Sequence, residues 1–276
     1  MPATLYLVPT PIGNLGDISR RALETLEQAD FIAAEDTRVS LKLLNHFGIK
    51  KPLVSYYRHN AANAGEAILA RLLAGERCAL VTDAGTPAIS DPGEELVALC
   101  AAHAVQVVSI PGPCAITTAL AASGLPTGRF TFEGFLAMNR KNRREHLDEL
   151  KTETRTMVFY EAPHKLKATL TDFSAAFGAE RPMALCRELT KLHEEILRMS
   201  IGAAIAHYEA ESPRGEYVLV VQGCAPVEKA RPTMADGLER VRELQAGGFS
   251  ARDAVKQAAK ELDLPRNSLY QASLEE

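Results

Sequence analysis

No stretch of this chain approaches the roughly eighteen consecutive apolar residues that a membrane helix needs, so no spanning segment is expected. Cysteine is scarce and solitary. Cys78, Cys100, Cys114, Cys186 and Cys224 sit singly in apolar surroundings and make no CxxC pair. That suits buried thiols in a reducing compartment better than a disulfide framework. The seven histidines show no HExxH or similar ligand spacing, and no metal is expected. An excess of positive charge is also missing: 31 Lys and Arg stand against 35 Asp and Glu, a net charge of −4. A protein that gripped nucleic acid with its whole surface would be basic, so any RNA contact must come from a local patch. The first glycine-containing turn, Thr10-Pro-Ile-Gly-Asn-Leu-Gly-Asp17, is neither GxGxxG nor a GK[ST] loop, which demotes NAD and ATP as ligands. The chain enters a strand-like segment at Thr4 without a basic start or cleavage site, an argument against a secretory leader and for a cytoplasmic protein.

What remains is an ordinary globular composition, 46 % apolar and 24 % charged over 276 residues, enough for two domains and a small appendage. Short β-rich runs alternate with amphipathic helical stretches, the pattern of an α/β protein whose first sheet is largely parallel. Strands are predicted at 4–8, 31–34, 53–57, 78–82 and 105–110. Helices fall between them and at 114–122. Gly124-Leu-Pro-Thr-Gly128 reads as a hinge. A second unit follows, with strands at 130–135, 156–161 and 183–189 and helices at 142–151 and 165–176. Glu195–Met199 and Glu216–Gln222 read as adjacent strands of a more antiparallel sheet. Residues 223–232 suit a linker. From Met234 the chain is helical, and Ser250-Ala-Arg-Asp253 resembles a capping box. The domains expected are therefore 1–122, 123–225 and 231–276. The last has the rhythm of a helix-turn-helix, but eight basic and eight acidic residues between Lys229 and Glu276 make it a poor phosphate magnet.

Four turns follow the C-terminal ends of first-sheet strands: Pro9–Gly16, Ala34–Arg38, Asp83–Gly93 and Pro111–Ala115. Ligands of open α/β sheets bind outside those ends, so the four turns point to one site. In the third turn Gly85 admits close backbone approach, Pro87 and Pro92 stiffen the loop, and Asp83 and Thr86 supply polar groups. The plain alternative is a strand-to-helix connection without a ligand.

The succession Leu5-Tyr-Leu-Val-Pro-Thr-Pro-Ile-Gly-Asn14, Ala34-Glu-Asp-Thr-Arg38, Leu80-Val-Thr-Asp-Ala-Gly-Thr-Pro87 and Ile110-Pro-Gly-Pro113 resembles the tetrapyrrole (class III) methylases. Phe159-Tyr-Glu-Ala-Pro-His-Lys165 and Arg187-Glu-Leu-Thr-Lys-Leu-His-Glu194 extend the likeness over nearly the whole chain, and it is narrowest toward the branch that methylates a cytidine 2′-hydroxyl of 16S ribosomal RNA. The resemblance implies two α/β lobes of the tetrapyrrole-methylase fold with S-adenosylmethionine in the cleft between them, a homodimer, and a small helical module at the end. By position, Pro9, Asp83, Ala84, Gly85, Thr86, Pro87, Ser90, Ala115 and Thr118 would face the cofactor, with Ile89 beside them. Ala84-Gly-Thr-Pro87 departs from the Gly-Gly-Asp-Pro of tetrapyrrole enzymes, which favours the RNA branch and 16S rRNA or the small subunit as partner.

A ribose hydroxyl is a weak acid, so a positioned base should add roughly 10²–10⁴-fold to the orientation effect. Glu35, Asp36, Asp83, Glu161, Glu188 and Lys191 are the candidates for catalysis, and Arg38 beside Asp36 could hold a phosphate. Helix capping is the dull alternative for Glu35–Arg38 and for the turn after Glu161. Arg140, Lys141, Arg143 and Arg144 put four cations in five residues, the local RNA patch that an acidic body requires; otherwise they are a solvated helix face. Tyr56 and Tyr57 could stack a base or be buried at a sheet edge. A small-molecule methylase acting on a precorrin is the nearest alternative, and a nucleotide-sensing helix-turn-helix regulator a more distant one.

Overall fold

A computed structural model describes residues 3–225 and 232–275. The chain forms two compact units, one ending at Cys224 and the other beginning at Ala225. The predicted linker falls largely on residues 226–231, which lie outside the described residues.

The first half of unit one runs β1 (Thr4–Leu7), α1 (Arg20–Gln28), β2 (Phe31–Ala34), α2 (Thr37–His46), β3 (Leu53–Ser55), α3 (Ala61–Leu73), β4 (Arg77–Val81), α4 (Glu94–Ala102), β5 (Gln106–Ser109) and α5 (Ala115–Ala122). Its sheet is wholly parallel in the order β3-β2-β4-β1-β5. Parallel strands need crossovers, and the helices that supply them cover both faces, which is why these strands read as near-continuous apolar runs. The two-residue period sorts them. Leu5, Leu7, Phe31, Cys78 and Leu80 bury one face with Ile68, Leu72 and Leu96 of α3 and α4. Val8, Ile32, Ala79 and Val81 bury the other with Ala22, Leu26 and Leu44 of α1 and α2. Each large side chain fully buried this way contributes about 1.5–3 kcal/mol.

The second half adds β6 (Phe130–Phe135), α6 (Arg140–Glu149), β7 (Thr156–Glu161), α7 (Leu166–Phe177), β8 (Pro182–Arg187), β9 (Glu195–Ser200), α8 (Ile201–Ala210) and β10 (Tyr217–Val221). The sheet order is β6-β7-β10-β8-β9, with β6 and β7 parallel and the rest antiparallel. The strands expected to be neighbours, β9 and β10, are separated by β8. Helix α8, between them, returns the chain across the face of the sheet so that β10 enters its middle. One face packs Met157, Phe159, Leu185 and Leu219 on α6, α7 and α8. The other packs Val158, Ala184, Val218 and Val220 on Ile116, Ala119 and Leu120 of α5, a helix of the first half. That shared layer ties the halves together. The segment read as a hinge is pinned in place: the Thr156 hydroxyl donates to the Pro126 carbonyl at 2.6 Å, and Arg198 donates to the Ala122 carbonyl.

Unit two contains α9 (Met234–Ala246), α10 (Ala251–Glu261) and α11 (Arg266–Glu275) around Val241, Ala254, Val255, Ala258 and Leu269. Of the described residues, Thr233 and Asp236 form a full capping box at the start of α9. At Ser250 the hydroxyl accepts from the Asp253 amide, but Asp253 binds back to that hydroxyl, not to the Ser250 amide. No helix among the described residues is long and apolar enough to cross a membrane.

Candidate active site

All four turns named from the sequence meet. Thr10 and Gly85 exchange backbone hydrogen bonds at 2.9 and 3.0 Å, joining the β1 turn to the β4 turn. Gly85 has φ +90°, a conformation that disfavours other residues. The Thr86 hydroxyl donates to the Pro113 carbonyl at 2.9 Å, bringing in the turn after β5. The Thr82 hydroxyl donates to Glu35 at 2.7 Å, and the Asp36 amide to Asp83 at 3.1 Å, bringing in the turn after β2.

Between these turns and the edge of the second sheet lies a cavity of about 410 Å³. The first half contributes Ile12, Ala84, Gly85, Thr86, Ile89, Ser90, Asp91, Cys114 and Ala115. The second half contributes Phe135, Tyr160–Pro163, Cys186, Glu188, Leu189, Lys191 and Glu216–Val218. Of the six non-glycine residues with positive φ among those described, four lie in its two long loops: Ala88, Ser90, Glu188 and Thr190. Such backbone costs stability and concentrates where a site demands a particular shape. Across the cleft Gly13 lies so close to Lys191 that a Cβ there would sit 2.4 Å from the lysine Cγ.

The cofactor-facing residues expected from sequence divide. Ala84, Gly85, Thr86, Ser90 and Ala115 lie on the wall, with Ile89. Pro9, Pro87, Thr118 and Asp83 lie off it. Pro9 packs behind, beneath Gly112, and the Thr118 hydroxyl donates to the Cys114 carbonyl of its own helix. Asp83 opens on the opposite side of the turn. Sequence reasoning missed Phe135, Tyr160 and Val218, since a wall built by a second sheet depends on pairings that no local pattern carries, and it passed over Asp91 within the Asp83–Gly93 turn.

The catalytic candidates also separate. Asp36 caps α2 through the Arg38 amide and holds the Arg38 guanidinium at 2.7 and 3.1 Å, which keeps its carboxyl down at about 2. A carboxylate so strongly held is a weak base, and Arg38 is committed to it. Glu161 is buried, accepting from the Ala162 amide and the Thr169 hydroxyl. Glu188 binds Lys191 at 2.8 Å, and that bond holds its carboxyl below the usual range. Burial pulls the Lys191 ammonium down, but its bonds to Glu188 and Glu216 outweigh that effect and keep it charged, so it has no lone pair to accept a proton. Asp83 differs: burial, helped by Glu35 and Asp36, raises its carboxyl despite the Asp36 amide. Asp91 is raised further, to about 6, by burial and then by Glu35.

The basic run begins α6 two residues earlier than expected, because Asn139 caps the helix by accepting from the Lys141 and Asn142 amides. Arg143 turns inward to Asp172 at 2.5 Å and to the Thr169 hydroxyl at 2.8 Å. Arg140, Lys141 and Arg144 are exposed. Tyr56 is buried and Tyr57 exposed.

A parallel sheet and a mixed sheet sharing one ligand-sized cleft define the class, and the chain belongs to the family of Tetrapyrrole (Corrin/Porphyrin) Methylases, whose profile matches residues 4–205. It is an S-adenosylmethionine-dependent methyltransferase. Within the family it is similar to the protein named Ribosomal RNA small subunit methyltransferase I. In Synechocystis sp. that protein is 49 % identical, over 98 % of this chain and 97 % of its own length. The Halalkalibacterium halodurans protein of the same name is 45 % identical over 97 % and 93 %, and that of Escherichia coli O157:H7 is 45 % identical over 99 % and 95 %. Among solved structures the fold is similar to diphthine synthase (TM-score 0.63, 15 % identity, 80 % of this chain and 90 % of that one). Cobalt precorrin-4 methyltransferase is similar too (TM-score 0.58, 20 % identity, 80 % and 95 %).

The cavity fits that cofactor chemically. Its volume lies within the 300–1,000 Å³ of small-ligand sites. Ile12, Leu189, Val218 and Tyr160 offer an apolar bed for a flat base, while Glu188, Glu216 and Asp91 suit a sulfonium and an ammonium, and Lys191 a carboxylate.

Proposed function

We propose that this chain methylates the 2′-hydroxyl of a cytidine in small-subunit (16S) ribosomal RNA, as a cytoplasmic homodimer, with the cofactor held between lobes spanning 1–122 and 123–225. The reading is carried by the full-length similarity to three proteins named for small-subunit ribosomal RNA, none below 45 % identity. The Ala84-Gly-Thr-Pro87 loop supports it against a tetrapyrrole acceptor, since the acidic residue of Gly-Gly-Asp-Pro is replaced by Thr86, whose hydroxyl is spent on the Pro113 carbonyl.

When bound, S-adenosylmethionine supplies a methyl group made electrophilic by positive sulfur. The protein's task is positional: Gly85 and Ala84 admit close approach, and the Lys191–Glu188–Glu216 group lines the far wall. Arg140, Lys141 and Arg144 would hold the RNA backbone, leaving Arg143 to brace α6. Incubation with labelled S-adenosylmethionine and unmodified small ribosomal subunits tests the assignment. Label in alkali-resistant dinucleotides is expected, and label found only with a free tetrapyrrole would overturn it.

A further inference from the structure

Phe135 reaches the donor cavity through an irregularity in its strand. Phe132 pairs with Val158, but the register then shifts, so that Gly134 stands opposite Phe159 and Phe135 opposite Tyr160. In an unbroken β6, residues 132 and 135 would point to opposite faces, because side chains alternate along a strand. Phe135 would then join Met157 and Phe159 on the face covered by α6, α7 and α8. The extra residue, accommodated by a φ of +64° at Gly134, reverses the alternation. Phe132 and Phe135 therefore both meet Tyr160, with ring centroids 5.0 and 5.5 Å away. Bulges are rare between parallel strands and collect beside active sites, where they re-aim a side chain.

The re-aimed ring does not serve packing. Phe132 and Tyr160 are partly buried against the core that the second sheet shares with α5, whereas Phe135 is 57 % exposed on the wall of the donor cavity. Leaving an aromatic ring in water forgoes the stability that burial brings, so its position calls for a ligand. Cations follow at once. Arg140, Lys141 and Arg144 face solvent on α6, and Arg140 is five residues beyond Phe135, a separation of at most about 18 Å. The bulged residue ties ring and helix together: a Glu133 carboxylate oxygen lies 2.9 Å from His146 Nε2 of α6.

We propose that Phe135 is the platform on which the acceptor nucleotide stacks: an unpaired base of the RNA strand lies on the exposed face of the ring, with its ribose turned into the donor cavity and the neighbouring phosphates on α6. The inference rests on the reading above and deepens it by saying where the acceptor sits. Aromatic rings stack unpaired bases, and basic residues alongside them follow the backbone. Because the ring and the Ala84–Thr86 turn wall the same cavity, the base can be held and the ribose hydroxyl oriented within one cleft. The ring carries no charge, so its contribution should be insensitive to salt, unlike that of the α6 cations.

Variants of the full chain test it. Phe135→Ala should lower kcat/KM on unmodified small subunits roughly 5–150-fold, the factor that one base–aromatic stack supplies. Its S-adenosylhomocysteine affinity by calorimetry, its melting temperature and the salt slope of its RNA binding should stay as in the wild type, and Phe135→Tyr should keep kcat/KM near the wild-type value. The sequence contains no tryptophan, so Phe135→Trp adds a single indole reporter at the contact. A short oligocytidylate should quench its emission. A Leu73→Trp control should not respond, since Leu73 is exposed where α3 leads into the start of β4, the end of the sheet away from the turns. If the wild type methylates ribosomal RNA and Phe135→Ala keeps wild-type kcat/KM, the acceptor stacks elsewhere and the general reading survives. Emission from Phe135→Trp that changes with protein concentration but not with RNA would assign the ring to a contact between two copies, and lost S-adenosylhomocysteine affinity in Phe135→Ala would assign it to the donor; either overturns the proposal. If the wild type places no label in ribosomal RNA, the general reading fails and this assignment with it.

Discussion

At Asp91 burial and the Glu35 carboxylate push in the same direction, holding the side chain near pKa 6 against the opposing Thr82 hydroxyl. The folded value exceeds the unfolded one, so between about pH 4 and 6 the folded state binds more protons and stability falls as pH rises through that window. Asp91→Asn should therefore stabilise the protein at pH 7.5, by about 1 kcal/mol once solvent screening is allowed for, or roughly 2–4 °C in Tm. The gain should vanish at pH 4, and melting curves at the two pH values check it. At Gly85 a side chain would meet an unfavourable φ of +90°, with Ile12 Cγ2 at 3.4 Å. Gly85→Val should abolish S-adenosylmethionine binding in calorimetry while far-ultraviolet circular dichroism stays unchanged; retained affinity would remove the turn from the donor site. Gly85 was legible because glycine in a strand-end turn has few other uses. Asp91 was not, because Ser-Asp-Pro reads as an ordinary turn, and neither its burial nor its approach to Glu35 leaves a local sequence signal.

Helix α6 shows what separates a charge run from a binding surface. With Arg143 committed to Asp172 and Thr169, only three of its four cations face solvent. Replacing Arg140, Lys141 and Arg144 by Gln should lower the slope of log K against log salt for single-stranded RNA by about 2, and Arg143→Gln should leave that slope alone while costing about 1–3 kcal/mol of stability. Filter binding across a salt series together with chemical denaturation would separate the two effects. Strands at Phe31–Ala34, Phe130–Phe135 and Thr156–Glu161 were legible to the residue, since turn-forming residues bound each apolar run. Helix α8 was not. Ile201–Ala210 is mostly small and apolar, with a glycine near its start, so it offers no charged face to set a helical period. The order of the second sheet was hidden for a different reason: a local pattern specifies that a strand exists, and only long-range packing specifies its neighbour.

For the molecule as a whole, a net charge of −4 and the cationic face of α6 mean that RNA should be captured locally and lost readily with salt, while cofactor affinity stays nearly constant. Calorimetry at 50 and 300 mM salt should find the S-adenosylmethionine Kd changed less than threefold, and a larger change would show that the donor too is drawn in by surface charge. The position of β10 has a consequence for synthesis. Its five residues are buried and pair on both sides, with β7 and with β8. A nascent chain that has not yet reached Tyr217 therefore carries two open strand edges, exposed to any sticky neighbour for the few seconds that translation from Arg187 to Val221 takes at ~5–20 residues per second. Polypeptides prematurely terminated in that interval should be the aggregation-prone fragments of this gene product, since the strand that closes the gap is the last of its sheet to be made.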